Sequence, residues 1–270
     1  MFAGVTMTIK PSYPPVASAP RSIHHTLTVN PARLSAQEKQ RFSDNLYQLH
    51  CQIFDGVSRE SFQSYVVDSS ADYSRIRIYM NESSDWVGYC AMHRFEKRIA
   101  QRNRVIIRAE AGILRAYREC NQTLCFAFVE GIKYRLLHPF TPLYYLGSFV
   151  HPCVLYMLSH YFGQCYPLPK QDISPRRKAM MSELADAFGL EEVEGQSWLV
   201  RRVGWVTRQS EADSHFWQDN PDIVVQFYIH TNPGYGQGNG LLTLVPLSFS
   251  NVFFSLVRFL KHKLLGHIAS

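Results

Sequence analysis

Residues 105–139 read VIIRAEAGILRAYRECNQTLCFAFVEGIKYRLLHP, and their reading decides the fold. The run Val105-Ile106-Ile107, followed by charges at Arg108 and Glu110, is rich in β-branched residues and predicts a strand. Residues 115–122, RAYRECNQ, form a polar turn. Thr123 then caps a helix in which Leu124, Phe128, Ile132 and Leu136 recur every four residues. The helix ends near Leu137, because Pro139 disfavours helical geometry at His138 and cannot continue the ladder. A strand therefore leads through a polar turn into a helix N-terminus. The free N–H groups there carry partial positive charge, and with Arg118 beside them they make a pocket suited to phosphate or pyrophosphate.

Residues 113–123, ILRAYRECNQT, resemble the acyl-donor motif of the GCN5-related N-acetyltransferase (GNAT) superfamily, V-x-P-x-Y-R-G-x-G-x-G/A. Ile113, Tyr117 and Arg118 fit the pattern. Arg115 stands at the proline, and Glu119, Asn121 and Thr123 stand at the three glycines. Glycine lets a backbone approach phosphate closely, Asn tolerates left-handed geometry and Thr can cap, whereas Glu119 puts a negative charge beside the anion. The resemblance implies acyl-CoA or an acyl carrier protein as donor. It implies donor binding by Ile113, Arg115, Tyr117, Arg118, Asn121, Gln122 and Thr123.

Outward from this stretch, the order of elements follows from periodicity. Residues 1–21 hold four prolines among small and polar residues and read as a flexible tail. Residues 23–30 alternate as a strand, and residues 35–54 form a helix opened by the capping box Ser35/Glu38. Residues 58–67 form a shorter helix. Residues 74–80 and 86–94 read as a hairpin around the turn 81–85, and a turn at 101–103 leads into the strand at Val105. Residues 142–150 are a further strand, and Pro152 opens the helix PCVLYMLSHYF.

Strand, helix, helix, three strands, helix, strand, helix is a mixed α/β order. It resembles a GNAT-like mixed sheet of about six to seven strands flanked by helices, covering residues 22–168, with a C-terminal extension over 169–270. In the extension, residues 175–188 read as a helix stopped by Gly189, 197–207 as one strand, 222–230 as strand or helix, and 231–240 as a glycine-rich loop. That loop lacks the G-K-S/T ending of a phosphate-binding P-loop. Residues 248–270 form an amphipathic helix with Phe253, Leu256, Val257, Leu260 and Leu264 on one face and Ser255, Arg258 and His262 on the other. Such a helix either lies in a membrane interface or docks on the protein's own core.

A net charge of +6 and a pI of 9.0 favour anionic partners or serve solubility. The basic hairpin residues Arg94, Lys97, Arg98, Arg102 and Arg104 suit phosphates, an acidic carrier protein or a membrane surface; nucleic acid is the less favoured partner. Six cysteines without a C-x-x-C pair point to a reducing, cytoplasmic setting, with peripheral membrane contact as a further option. No signal peptide and no 18-residue apolar window is found. Eleven histidines show no ligand spacing, so no metal is expected.

Acyl transfer from a thioester requires donor and acceptor to be oriented, the ammonium deprotonated and the thiolate reprotonated. The resemblance implies Glu110 as base and Tyr156 as acid, with His160 and Tyr161 as competitors at the second position. Glu110 has apolar neighbours that raise its pKa, or it is a structural ion-pair partner of Arg108. Cys120 as a nucleophile is weakly supported. The reading is an N-acyltransferase acting on an amine acceptor, small or lipid-like, with a long-chain acyl group and a membrane-near acceptor as its extension. The alternative is a non-catalytic module of the same fold that binds a lipid, carrier or partner.

Overall fold

A computed structural model describes residues 21–118 and 122–268. Strand β1 (His25–Val29) is followed by helix α1 (Ala36–His50), whose Ser35 cap accepts from the Glu38 N–H while the Glu38 carboxylate accepts from the Ser35 N–H. This capping box satisfies two of the orphan donors at the helix start. Short strand β2 (Phe54–Asp55) precedes α2 (Arg59–Phe62), one turn capped by Ser58 and continued by a π turn over Gln63–Val67. Then come β3 (Tyr73–Met80), β4 (Trp86–Ile99) and β5 (Arg102–Ile113).

The β4–β5 hairpin turns on Ala100 and Gln101, both with positive φ (47° and 60°), so Ile99 pairs with Arg102 and His93 with Arg108. Neither residue is a glycine or asparagine, the usual markers of such a turn, which is why the sequence places the turn at 101–103 instead.

A short 3₁₀ turn, Arg115–Tyr117, leads toward α3 (Gln122–Leu137). Strand β6 (Leu143–Phe149) and α4 (Pro152–Tyr161) follow. The chain continues through α5 (Pro175–Ala187), β7 (Val200–Arg202), β8 (Val206–Thr207), α6 (Glu211–Gln218), α7 (Ile223–Thr231), β9 (Asn239–Pro246) and α8 (Phe249–Ile268).

The mixed α/β sheet expected from the element order is present, with seven strands in the order β1-β3-β4-β5-β6-β9-β7. Among the described strands only β5 and β6 run parallel; α3 is their crossover. Residues after 168 supply β9, which pairs with β6, and β7, the strand beyond it. Two apolar layers cover the sheet. One joins Leu46, Ile53, Phe62 and Tyr89 under α1 and α2; the other joins Ile107, Phe126, Leu155 and Leu244 under α3 and α4.

Three expectations are corrected. Residues 197–207 do not form one strand. Gly204 adopts φ 81°, which breaks the run, and β8 leaves to pair with β2. Of the two readings left open for residues 222–230, the helix is the one formed, opened by Asp222, whose side chain accepts from the Val224 N–H. In α3 the stripe against the sheet is Ala127, Gly131 and Arg135, while Leu136 is exposed. The helix is apolar almost all round, so period four alone cannot choose its face. The choice falls on small residues, since a Cβ at Gly131 would sit 3.0 Å from Leu247 and 3.3 Å from Ile107.

The last correction concerns α8, which turns Asn251, Val252 and Ser255 inward. The Asn251 amide donates to the Gln164 and Pro246 carbonyls, and its oxygen accepts from the Gln164 N–H. Phe253, Leu256 and Leu260, on the expected apolar face, are therefore exposed. The amino-terminal tail expected over residues 1–21 lies outside the described residues except for Arg21.

Candidate active site

Strands β5 and β6 pair only through Val105–Ile107 and Leu143–Tyr145. On its other edge β6 pairs with β9 along Tyr144–Phe149, while the edge of Arg108–Ile113 that faces β6 has no ladder partner among the described residues. Unpaired backbone groups of a parallel pair, at the carboxyl ends of its strands, are where open α/β sheets take ligands. A cavity of about 670 Å³ fills the gap. It is lined from the α2 side by Ser61 and Tyr65, from α4 by Cys153, Val154 and Met157, and from the later chain by Phe188, Val203 and Trp205. The opening thus reaches both layers of the fold.

The even residues of β5 face α1 and α2. A Cβ on Gly112 would meet Phe54 at 2.6 Å and Ile53 at 2.8 Å, and the Arg108 guanidinium stacks on Tyr65. Glu110 lies between them. Burial pushes its carboxyl up to about 7, against the pull of the neighbouring Arg108 and a hydrogen bond from Tyr65. His93 Nε2 stands 3.3 Å from Glu110 Oε2 without hydrogen-bond geometry, and His93 Nδ1 bonds the Ser74 hydroxyl at 2.9 Å. Burial first, then Arg108, push the imidazole down to about 3. At neutral pH the pair is a carboxyl group against a neutral imidazole, not an ion pair. A buried carboxyl that titrates near neutrality, in a cavity, has the properties of a general base.

The expected donor residues are only partly gathered. Arg118 lines the cavity, but its Nε donates to the Ile113 carbonyl at 3.0 Å and its amino group to the Arg208 carbonyl at 3.4 Å. Ile113 borders the cavity at the end of β5. Arg115 turns away to pair with Asp213 at 2.7 Å. Tyr117 is buried, with Asn81 near its hydroxyl. Gln122 and Thr123 begin α3, which therefore starts at Gln122, before the expected cap. Asn121, Glu119 and Cys120 lie outside the described residues.

Tyr156 is not at the cavity. One face of α4 brings Cys153, Val154 and Met157 to it, while Tyr156 packs against His160, with Asp222 near its hydroxyl. His151 does reach the cavity, capping α4 through Nδ1, with its Nε2 against Gln209 and its pKa pushed down to about 4 by burial.

Tyr65, Ser74 and His93 were not singled out from the sequence. Their signal was the hairpin register: a turn at 100–101 puts His93 opposite Arg108 on the Glu110 face, and a one-residue slip removes it. No cluster of His, Cys, Asp or Glu suited to a metal is present among the described residues.

No family model matches the chain, and no curated protein matches it. Solved GNAT-family structures are among those similar to it. An acetyltransferase of the GNAT family from Streptococcus pneumoniae is 10% identical, with a TM-score of 0.34, over 56% of this chain and 92% of that one. Arabidopsis thaliana NAA60, solved in complex with acetyl-CoA, is 13% identical, with a TM-score of 0.34, over 55% and 93%. A tetramutant of the BH1408 protein from Bacillus halodurans is 13% identical, with a TM-score of 0.35, over 55% and 97%.

Proposed function

We propose that this chain is an N-acyltransferase that moves an acyl group from acyl-CoA to an amine. The observation that carries this reading is Glu110, a carboxyl held near neutrality at the unzipped β5–β6 gap. In its ionised form Glu110 takes the proton from the acceptor ammonium. The freed nitrogen attacks the thioester carbonyl carbon, the carbon–sulfur bond breaks, and the leaving thiolate takes up the second proton that the nitrogen sheds as it becomes an amide. A thiol has an ordinary pKa of roughly 8.5, so this leaving group departs without a strong acid, and a tyrosine at the Tyr156 position is dispensable. The free edge of Arg108–Ile113 and the buried, unpartnered Ser148 hydroxyl are suited to hold the donor's amide-bearing arm.

The test is thermal shift and turnover with acetyl-CoA, longer acyl-CoAs and free CoA. Binding raises the melting temperature, and Arg118→Glu removes the shift by placing a carboxylate in the donor channel. No shift with any of these ligands sinks the reading. The engagement of Arg118 by the Ile113 and Arg208 carbonyls and of Arg115 by Asp213 favours a second reading, a non-catalytic binder. That reading expects a shift without turnover.

The volume and apolar walls of the cavity support an acyl group longer than acetyl, and leave acyl carrier protein as a donor to be tried beside CoA. No helix among the described residues is long and apolar enough to cross a membrane. Exposed Phe253, Leu256 and Leu260 on α8, with Arg258 and Lys261 on the same helix, support peripheral contact with an anionic bilayer. The chain is then expected to co-float with phosphatidylserine vesicles and Phe253→Ser/Leu260→Ser to stay behind. A native chain that does not float rules the membrane contact out.

A further inference from the structure

On the α3 side of the sheet, behind the strand that carries His93, lies a second concavity of about 450 Å³. Three arginines line it. Arg75 and Arg77 alternate on β3, and Arg94 on β4 pairs across from Tyr73, so all three project from one face. Each is held by its stem. Arg75 Nε donates to the Tyr73 hydroxyl at 2.8 Å, and Arg77 Nε to the Thr28 hydroxyl at 3.1 Å while its guanidinium lies 4.1 Å over Phe126. The Arg94 guanidinium is sandwiched between Tyr73 at 4.8 Å and Tyr134 at 4.6 Å, and its Nε is buried without a partner.

None of the three forms an ion pair among the described residues. The carboxylate that borders the groove, Glu130, is taken by Lys133 at 2.7 Å. Like charges collected in a half-buried groove repel unless something neutralises them. The ring and hydroxyl contacts fix the guanidinium planes, and among the described residues no hydrogen bond engages their terminal amino groups. Those are the groups that grip phosphate or carboxylate in bidentate fashion. We infer that this groove binds a small polyanion bearing two or more phosphate or carboxylate groups. The inference does not rest on the acyltransferase reading, because none of these arginines lines the β5–β6 cavity.

Calorimetric titration of the full chain at fixed ionic strength tests it, with inorganic pyrophosphate in one arm and citrate in the other. Saturable binding of at least one probe is expected, and the arm that binds separates phosphate from carboxylate recognition. Arg75→Gln and Arg94→Gln each weaken it about ten- to a hundredfold, the range for losing a charge-assisted hydrogen bond. Arg94→Lys keeps the charge but not the fork and falls between. Lys133→Gln, on an exposed side chain, weakens binding without touching the core. Arg118→Glu leaves binding unchanged. The inference is overturned by the absence of saturable binding of either probe up to about 10 mM. It is equally overturned by binding that survives both Arg75→Gln and Arg94→Gln, or that is lost in Arg118→Glu instead.

Discussion

Replacing Glu110 by Gln is expected to lower kcat/KM by about 10²–10⁴-fold, the range that a positioned general base contributes. The size and hydrogen-bonding reach of the side chain are kept, so KM for the acyl donor changes little. The pH profile supplies the sharper signature. Native activity should climb as pH rises through about 7, because only the ionised carboxylate accepts a proton. The Gln variant should lack that rising limb.

The same shift predicts a stability effect of definite sign. The folded state holds the Glu110 proton up to about pH 7, whereas the unfolded state releases it near the ordinary 4.5. Between those values the folded state binds more protons, so Glu110 makes the protein less stable as pH rises across that window. Denaturant melts of Glu110→Gln against native chain should show the difference between them growing from pH 4.5 to 7 in favour of the variant. A variant that retains full activity with the native pH profile would remove Glu110 from the chemistry.

Phe62→Ala is expected to carry the largest stability penalty, about 3–5 kcal/mol, the cost of emptying a buried aromatic site. Phe62 is fully buried at the end of the single turn of α2. Its ring lies 4.6 Å from His50, 5.5 Å from Tyr47, 6.2 Å from Tyr89 and 6.3 Å from Trp205. Helix α1, strand β4 and the segment before β8 therefore meet on one side chain. A turn this short has little helical stability of its own and depends on that packing. The loss reads out as a lower urea midpoint at an unchanged slope, and against a total stability of roughly 5–15 kcal/mol it leaves a marginal fold. A midpoint within error of native would mean that the aromatic cluster collapses around the gap without cost.

Where a stretch has one strong period, its element was legible from the sequence. Residues 74–80 alternate cleanly and became β3, and Ser35 with Glu38 announced α1 through a capping box that the structure contains. Stretches that satisfy two patterns at once were not legible. The apolar residues of α3 run all round the helix, and the face that packs is set by Ala127 and Gly131, whose value is their smallness. In α8 the more apolar face lost to one that carries Asn251, because that amide satisfies three backbone groups that an apolar residue would leave bare.

The candidate site divides in the same way. Glu110 could be nominated because its neighbours in the chain are apolar and it stands shortly before a strand-to-helix turn. Its partners were hidden, since Tyr65 comes from the π turn after α2 and His93 from β4, where a register set by two positive-φ residues places it. Tyr156 was assigned by its place in the order of elements, but Cys153, Met157 and Val154 span about 100° of the α4 surface, and Tyr156 falls about 60° beyond Cys153, outside that sector.

Local sequence thus determined most of the strands and helices up to residue 161, where the crossover between the parallel pair lies, and that a carboxyl precedes it among apolar residues. These are properties of neighbours along the chain, fixed by dihedral preference and periodicity. Tertiary structure alone decided how far β5 and β6 separate, which groups surround Glu110 and raise its pKa, and that three arginines from two strands share one groove. Burial and electrostatic interaction depend on distance through space, and a linear pattern carries that distance only after register and packing have closed the fold.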